Sequence, residues 1–333
     1  MQPKKRIRIG FSFLIGSGGP VSFMKNLRAS IAKQRLAKVS SFLNPFNDIN
    51  IFSNYVRNIY GTPYIFRVDG IAFDINDNLE IRSKKNAPIF SGIRDALGVV
   101  FQSQFGLQLI SKFYGNIERS YIVINNGVDL GKFSPDGINM RKMLAINDED
   151  LVFITSAKWR VHKRLQDVVD VVIEYEKKSN LKCHLIILGK NAIFDDRGHK
   201  RIYKIGYVDP KNLPVWYRTA DIFLFLSWLD HCPNTVIEAI ACNLPVICSN
   251  QGGTKELIEL TNGGIVAQAD EDYNFGLVPL YHPPKPDYGK ILAAIDNVVN
   301  NLECFRKKIN KENIDINNIA KKYVAFAESL LHL

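Results

Sequence analysis

The sequence has no apolar run that approaches the roughly eighteen residues a transmembrane helix needs. Its first residues, Met1-Gln-Pro-Lys-Lys-Arg, lead directly into a short strand-like run. We therefore expect neither a signal peptide nor a membrane-spanning helix. The five cysteines include no Cys-x2-Cys pair, and no second cluster with ligand spacing accompanies Asp230, His231 and Cys232. This pattern predicts reduced thiols in a cytoplasmic protein and no metal site.

Several common catalytic signatures are also missing. The sequence contains no Gly-x-Ser-x-Gly elbow and no Walker loop. A glycine-rich turn at residues 16–20 has Val21 where the dinucleotide-binding fingerprint needs glycine. What remains is a loop with little side-chain bulk, where backbone N–H groups can approach a ligand. An ordinary strand-to-helix turn is the plainer alternative.

The composition is that of a soluble protein, and the chain of 333 residues is long enough for two domains. The net charge of +10 is unevenly distributed: residues 1–130 contain 17 Lys and Arg against 8 Asp and Glu, and residues 131–333 contain 26 against 25. The imbalance favours an anionic partner for the first half: a phosphorylated substrate, an anionic membrane surface or nucleic acid. An idle solvated face is the alternative, and no recognisable motif supports nucleic acid.

Strand-like runs alternate with helix patterns through both halves of the chain. They cover residues 7–15, 49–52, 64–68, 98–101 and 121–124, and then 151–155, 184–188, 201–205, 221–226, 246–248 and 264–267. Residues 133–150 have the composition of a linker. The alternation predicts an α/β fold with two Rossmann-like domains built on parallel sheets. We expect the first domain over residues 1–135, completed by a C-terminal helix at 316–333, and the second over residues 136–315.

The loop richest in polar residues follows the apolar run Asp221–Leu226. It carries Asp230, and Asn234 and Thr235 stand at the expected N-cap of a helix pattern over residues 236–242. A loop of this kind at the carboxyl end of a parallel strand forms an anion site, because the N–H groups of the first helical turn point at the ligand.

A group of cations follows the first strand of the second series. Lys158, Arg160, Lys163 and Arg164 lie between that strand and the next helix pattern. Several cations converging on a strand–helix junction suit a diphosphate, because they offset the charge that grows on a departing nucleotide. A solvated basic turn is the alternative.

Asp230 and Glu238 are eight residues apart, one in the loop and one on the helix. Two carboxylates at this spacing could act as a general acid/base pair. They could equally accept hydrogen bonds from sugar and ribose hydroxyls, or act as partners of the helix dipole.

These residues together resemble the retaining GT-B glycosyltransferases known as family 4 or "glycosyl transferases group 1". The resemblance covers nearly the whole chain and is densest from about residue 95 to residue 268. Asn126-Gly-Val-Asp129 with Phe133-Ser-Pro135 is similar to the family's N-G-V-D and F-x-P signature, and residues 157–164 stand where the family has G-R-L-x-x-x-K-G. Asp230-x7-Glu238 matches E-x7-E, and Gly252-Gly-Thr-Lys-Glu256 matches G-G-x-x-E.

The resemblance implies two Rossmann-like domains whose parallel sheets face each other across a cleft, with no metal and no cofactor. The donor would be a UDP-, GDP- or ADP-sugar, and transfer would keep the anomeric configuration. The acceptor would be a glycan, a lipid-linked compound or another hydroxyl, bound largely by the basic first domain. Such an enzyme would serve glycan or surface polysaccharide biosynthesis, in the cytoplasm or peripherally at an anionic membrane.

Four residues receive central roles from the resemblance. Lys158 and Lys163 would hold the donor diphosphate, Glu238 would bind the ribose, and Asp230 would face the transferred sugar. Asp230 is one methylene shorter than the family's Glu, and Lys158 replaces the usual Arg, which grips phosphate with two parallel hydrogen bonds. These departures leave a catalytically weak nucleotide-sugar-binding subunit as one alternative. A nucleotide-sugar epimerase of the same fold is a separate alternative.

The other positions that the resemblance assigns lie in loops at predicted strand ends. Tyr207, after Gly206, would lie near the nucleotide base, and Asp69 stands near a polar active-site position of the family. The remaining ligands would be backbone groups: the amides of Asn234, Thr235 and Val236 at the distal phosphate or the sugar, and Gly18 and Gly19 closing over donor or acceptor.

Overall fold

The computed structural model describes residues 6–12 and 18–332. The chain divides into two compact units. The first unit comprises Met1–Asp129, Asn274–Val278 and Asn313–Leu333, and the second comprises Leu130–Tyr273 and Pro279–Glu312. Each unit contains a parallel sheet of six described strands with flanking helices, which confirms the predicted α/β class.

The sheet of the first unit has the strand order β2-β1-β3-β4-β5-β6. Its strands are β1 (Arg8–Phe11), β2 (Lys38–Ser41), β3 (Ile49–Ser53), β4 (Tyr64–Val68), β5 (Gly98–Phe101) and β6 (Ser120–Val123). The predicted run over residues 7–15 reaches only Phe11, and residues 13–15 lie outside the described residues. β2 was not predicted, because Lys-Val-Ser-Ser is a short, largely polar strand at the edge of the sheet.

Helices cover both faces of this sheet. They are α1 (Gly19–Lys33), α2 (Leu79–Asp95), α3 (Gln104–Tyr114) and the C-terminal α10 (Ile316–Leu330). α1 and α10 share one apolar core, in which the rings of Phe23 and Tyr323 lie 6.0 Å apart. Residues from α2 and α3 pack in a second core on other side chains of the sheet, among them Phe52, Phe66 and Phe101.

A five-residue segment, Asn274–Val278, leaves the second unit and packs in the first. The Ile75 N–H donates to the Val278 carbonyl at 2.9 Å. The Phe105 and Phe275 rings lie 5.7 Å apart. No sequence pattern indicated this excursion.

The sheet of the second unit has the order β12-β11-β10-β7-β8-β9. Its strands are β7 (Leu151–Ser156), β8 (Cys183–Leu188), β9 (Ile202–Gly206), β10 (Ile222–Phe225), β11 (Val246–Ser249) and β12 (Gly264–Ala267). The chain adds β8 and β9 on one side of β7 and then returns to place β10 on the other. Open α/β sheets bind their ligands at the carboxyl ends of the strands where the order reverses, here between β7 and β10.

The helices of the second unit are α4 (Leu165–Ser179), α5 (Leu213–Tyr217), α6 (Asn234–Ala241), α7 (Thr254–Thr261), α8 (Tyr288–Asn300) and α9 (Leu302–Lys308), with a 3₁₀ turn at Val161–Lys163. The sequence pattern of residues 289–308 predicts one continuous helix, and that prediction is wrong. The chain breaks at Asn301, whose φ of −131° is not helical and whose side chain bonds back to the Asn297 carbonyl at 3.0 Å.

Some broader features concern the whole described part of the chain. Within residues 6–12 and 18–332, no helix has the length and hydropathy to cross a membrane. The five cysteines are free thiols, and only Cys304 is exposed. The same residues include no cluster of three or more His, Cys, Asp or Glu side chains that could hold a metal ion.

Candidate functional site

The loops after β7 and β10 contact each other where the strand order of the second unit reverses. The Lys163 ammonium, at the end of the 3₁₀ turn, forms an ion pair with the Asp230 carboxylate across a separation of 67 residues. The two side chains retain only 15% and 17% of their exposure. Trp228, in the second loop, donates its N–H to the His162 carbonyl at 2.8 Å. The structure therefore brings together two of the predicted site residues, Lys163 and Asp230.

The charge state of this pair follows from its surroundings. Burial on its own would raise the pKa of Asp230, but the Lys163 ammonium beside it leaves the pKa below its usual value. Burial lowers the pKa of His162 and of His231 to about 4. At neutral pH Asp230 is therefore a carboxylate, and His162 and His231 are neutral imidazoles.

Glu238 has a different partner and the opposite shift. It lies on the second turn of α6, and the Tyr217 hydroxyl on α5 donates to its Oε2 at 3.0 Å. Burial raises the pKa of Glu238 to about 7, with the Tyr217 hydrogen bond and Lys132 opposing that rise. The sequence pattern of residues 213–219 predicts a short helix, but nothing in it identifies Tyr217 as the partner of Glu238.

We expect Glu238→Gln to stabilise the protein at alkaline pH. The folded-state pKa of about 7 lies above the ordinary value of 4.5, so the fold favours the protonated acid. That contribution is complete below pH 4.5 and is lost as the pH rises through 7. A neutral Gln keeps an acceptor for Tyr217 and loses this dependence.

The measurement is urea unfolding of the parent protein and of Glu238→Gln at about pH 5 and about pH 8.5. We expect the free energy of unfolding of the variant, relative to the parent, to be higher by roughly 2 kcal/mol at pH 8.5 than at pH 5. Glu174→Gln, at an exposed position on α4, is the matched control. An equal effect of Glu238→Gln at both pH values would contradict the raised pKa.

A glycine-rich loop after β11 packs against the Asp230 backbone. Gly252 has φ +86°, and a Cβ there would lie 2.7 Å from the Asp230 carbonyl oxygen. The Gly253 N–H donates to the same oxygen at 2.7 Å. Only glycine permits both the left-handed conformation and this close approach. The resemblance to G-G-x-x-E therefore has a physical basis here, since the glycines fix the loop that carries Asp230.

Two buried hydroxyls in these loops lack a hydrogen-bond partner within the described part of the chain. Ser227 follows β10 and Thr254 begins α7; both are about 1% exposed, and neither hydroxyl has a hydrogen-bond partner among the described residues. Buried hydroxyls in proteins are normally paired. Sequence reasoning did not select either residue, although both stand beside its motifs.

The start of α6 differs from the prediction. Asn234 and Thr235 were expected at the N-cap, but the helix begins at Asn234 and Pro233 is its N-cap residue. Proline has no side-chain acceptor, so no side chain caps the first turn. The amides of Asn234, Thr235 and Val236 therefore belong to the first helical turn itself, where the helix dipole favours an anion.

The other predicted residues of the second unit lie on its surface. The Tyr207 ring is 63% exposed, and Lys190 Nζ lies 4.6 Å from its centroid. Gly206, at the end of β9, has φ +79°, and its carbonyl accepts from the Gly189 N–H at 2.6 Å. Lys158 is exposed in the loop after β7. Tyr207 offers a flat ring on which a base could stack.

Arg164 does not belong to the diphosphate-binding cations. Its side chain is fully buried, and its guanidinium makes two hydrogen bonds with the Asp270 carboxylate, at 2.9 and 2.6 Å. A third bond runs to the Pro284 carbonyl at 2.7 Å. This cation is structural, and composition alone could not distinguish it from its exposed neighbours.

In the first unit, Asp69 forms an ion pair with the wholly buried Arg67 at the carboxyl end of β4. Arg67 also donates to Asn126 Oδ1 at 2.5 Å and to Gln102 Oε1 at 3.2 Å. The Gln102 amide donates to the Asp69 carbonyl at 2.7 Å. Sequence reasoning selected Asp69 but missed the buried guanidinium that orients it.

The predicted glycines of the first unit lie where α1 begins. Gly18 is the N-cap residue with φ +120°, and Gly19 is the first residue of the helix. Residues 16 and 17 lie outside the described residues. The structure places Gly18, Gly19 and Asp69 in one unit, and Lys158, Lys163, Tyr207, Asp230 and Glu238 in the other.

Comparison with known proteins agrees with this geometry. Residues 137–275 match the family model "Glycosyl transferases group 1". Spore coat protein SA of Bacillus subtilis is 26% identical over 195 residues, covering 50% of each chain. Alpha-monoglucosyldiacylglycerol synthase of Acholeplasma laidlawii is 24% identical over 179 residues, covering 50% of this chain and 45% of the relative. The match thus spans about half the length of these relatives.

Solved structures share the fold over nearly the whole chain. Sucrose-phosphate synthase from Thermosynechococcus elongatus aligns with a TM-score of 0.73 at 12% identity, covering 98% of this chain and 100% of the other. HepE of Anabaena, solved with UDP and glucose, aligns with a TM-score of 0.68 at 14% identity, with coverages of 98% and 100%. The chain therefore has the GT-B fold, and its residues 137–275 are similar to the glycosyl transferases group 1 family.

Proposed function

We propose that this protein is a glycosyltransferase that moves a sugar from a nucleoside diphosphate sugar to a hydroxyl acceptor and keeps the anomeric configuration. The observation that carries the proposal is the Lys163–Asp230 pair at the reversal of strand order, beside the uncapped first turn of α6. An ammonium and a helix N-terminus together suit a diphosphate. The names of the relatives support the reaction class, and HepE was solved with UDP and glucose.

Each donor group has a counterpart in the second unit. The diphosphate binds Lys163, Lys158 and the first-turn amides of α6; the ribose hydroxyls donate to Glu238; the base stacks on Tyr207; and the sugar meets Asp230. No metal and no cofactor is required in this scheme, because the cations of the chain offset the phosphate charge.

The reaction exchanges one bond at the anomeric carbon for another. The bond from that carbon to the β-phosphate oxygen breaks, and a bond to the acceptor oxygen forms. The proton of the acceptor hydroxyl passes to the leaving phosphate, so the products are the glycoside and a nucleoside diphosphate. Lys163 stabilises the charge that develops on the leaving group. Asp69, Gly18 and Gly19 of the first unit bind the acceptor, which we propose to be a glycan or lipid-linked hydroxyl compound.

The test is a panel of UDP-, GDP- and ADP-sugars, scored by thermal stabilisation and by release of the nucleoside diphosphate. A true donor at about 100 times its Kd stabilises the native protein by about 2.7 kcal/mol. Nuclear magnetic resonance of the product shows whether the anomeric configuration is kept.

The outcomes distinguish three candidate functions. Thermal stabilisation by a nucleotide sugar, together with turnover when a glycan or lipid acceptor is added, supports the transferase. Stabilisation without turnover favours a nucleotide-sugar-binding subunit. This alternative is considered because Asp230 is shorter than the family's Glu and Lys158 replaces the usual Arg. Interconversion of the sugar or its hydrolysis without an acceptor indicates an epimerase, and no stabilisation by any donor contradicts all three.

A further inference from the structure

A groove with a volume of about 690 Å³ runs along α3 on the surface of the first unit. One side of it is a stripe of the helix formed by Gln104, Leu107, Gln108 and Ser111, which share a face because they are three or four residues apart. From residue 104 to residue 112 an α-helix rises by about 12 Å. The groove therefore has the volume of a ligand site and is longer than a single sugar ring.

Two aromatic rings from other parts of the chain also line this groove. Tyr121, on the edge strand β6, is 50% exposed, and its ring meets the buried Phe101 ring edge-on at 6.0 Å. Phe275 belongs to the Asn274–Val278 excursion, and its ring lies 5.7 Å from that of the buried Phe105. Each ring is therefore held by a core partner before a ligand arrives, which reduces the entropy lost on binding.

The turn that presents Phe275 has an unusual backbone. Phe275 has φ +59°, a left-handed conformation that bulky residues rarely adopt. The Asn274 side chain accepts the Gly276 N–H at 2.9 Å and closes this turn. Such conformations persist only where the surrounding structure imposes them, and they are concentrated at ligand sites. Asn274 and Phe275 both line the groove, so the excursion contributes part of its wall.

The polar groups of the groove select a neutral ligand rich in hydroxyls. Five lining side chains can both donate and accept hydrogen bonds, namely Gln104, Gln108, Ser111, Tyr121 and Asn274. Sugar hydroxyls use both roles, and the C–H faces of sugar rings pack on aromatic rings. Of the described residues that line the groove, only Lys112 carries a charge. A single cation is too few for a nucleic-acid strand, whose binding depends on several phosphate contacts.

One end of the groove lies beside the candidate acceptor residue Asp69. The Gln102 amide donates to the Asp69 carbonyl at 2.7 Å. The next residue, Ser103, caps α3 by accepting the Gly106 N–H at 3.0 Å, and Gln104 is the first residue of the helix and of the groove. A chain whose reacting end lies near Asp69 can therefore continue along α3 within the first unit.

We propose that this groove binds a neutral oligosaccharide, with its rings against Tyr121 and Phe275 and its hydroxyls paired with the amides of α3. The inference deepens the proposed function and rests on it for the role of the ligand. The bound chain is the part of a glycan acceptor that is remote from the reacting hydroxyl. The binding itself requires neither donor nor turnover.

The test is calorimetric titration of the full chain, without donor, with three neutral hexasaccharides: maltohexaose, cellohexaose and a linear mannohexaose. We expect at least one of them to bind with a Kd below about 1 mM, and its monosaccharide to bind at least about tenfold more weakly, because one ring cannot span the groove. The Kd should be the same at about 0.1 M and about 1 M NaCl, since salt screens charges and the ligand has none.

Four variants connect the binding to the groove. Tyr121→Ala removes the exposed ring and should raise the Kd at least about tenfold. Gln108→Ala, at an exposed helical position where alanine is well tolerated, should raise it about fivefold through the lost hydrogen bond. Tyr60→Ala is the matched control, because Tyr60 is 53% exposed in the same unit but does not line the groove. Tyr60→Ala and Lys112→Gln should each change the Kd by less than about twofold.

The outcomes decide between the glycan, other ligands and the proposed reaction. No binding of any hexasaccharide at about 10 mM would overturn the proposal, and so would equal losses in Tyr121→Ala and Tyr60→Ala. Binding that disappears at high salt or in Lys112→Gln would assign the groove to an anion and would also overturn it. The expected losses in Tyr121→Ala and Gln108→Ala, combined with no stabilisation by any nucleotide sugar, would retain the glycan site and contradict only the proposed reaction.

Discussion

Lys163→Ala is expected to lower turnover of the nucleotide-sugar donor by about 100- to 1,000-fold. Lys163 faces the negative charge that develops on the leaving phosphate, in a site that is mostly buried. It therefore stabilises the transition state more than it stabilises the bound donor. The effect should appear in kcat more than in KM. Steady-state release of the nucleoside diphosphate, with the acceptor at saturation, is the measurement.

Lys163 also pairs with Asp230, so a second variant is needed to distinguish loss of catalysis from loss of stability. Without the ammonium, the Asp230 carboxylate remains largely buried and unpaired, which destabilises the fold. In Lys163→Ala/Asp230→Asn that charge is gone, and stability should recover while turnover stays low. Recovery of turnover in the double variant would show that Lys163 only neutralises Asp230. Arg160→Ala, in the same loop but exposed, should change turnover by less than about threefold.

Arg164→Ala is expected to destabilise the second unit by about 3–5 kcal/mol. The substitution leaves the Asp270 carboxylate, which is 1% exposed, without its paired guanidinium. All three tryptophans, Trp159, Trp216 and Trp228, lie in the second unit, so their fluorescence in urea follows this unit selectively.

The backbone at Arg164 sharpens this experiment. Arg164 has φ +52° and ψ +45°, a left-handed conformation in which a Cβ costs roughly 1 kcal/mol. Arg164→Gly removes the same guanidinium but releases that strain, so it should be about 1 kcal/mol more stable than Arg164→Ala. Arg197→Ala breaks an ion pair with Asp170 in which the Arg is largely exposed, and we expect a change of at most about 1 kcal/mol. A loss at Arg164 no larger than at Arg197 would contradict the structural role.

Local patterns predicted the α/β class and most elements of the second unit. Residues 165–178 carry an apolar stripe that predicts a helix, which appears as α4, and the strand-like run at 246–248 appears as β11. Prediction failed where local signals are weak: at the edge strand β2, which is polar, and at Asn301, where one residue divides α8 from α9. The N-cap of α6 was misplaced because Asn234 has a good capping side chain but enters the helix itself.

The candidate site could be predicted in its residues but not in its contacts. Lys163 and Asp230 were selected from the local sequence and received their roles from the family resemblance, yet their ion pair depends on β7 lying beside β10, which is a property of strand order. The Glu238–Tyr217 bond likewise joins two helices. Arg164 was misassigned because burial of a cation is not visible in a run of basic residues. Pairing across long separations is set by packing, and a single sequence records it only indirectly.

The excursion of Asn274–Val278 has a consequence for building chimaeras from this chain. Suppose that residues 130–312 are transferred to a relative in place of its own second unit. The transferred segment then includes Asn274–Val278, whose contact residues in the first unit, among them Ile75 and Phe105, are not transferred with it. The peptide chain passes between the units at four places, so neither unit corresponds to one continuous fragment. A functional hybrid therefore needs its junctions chosen around residues 273–279 as well as at the two outer boundaries.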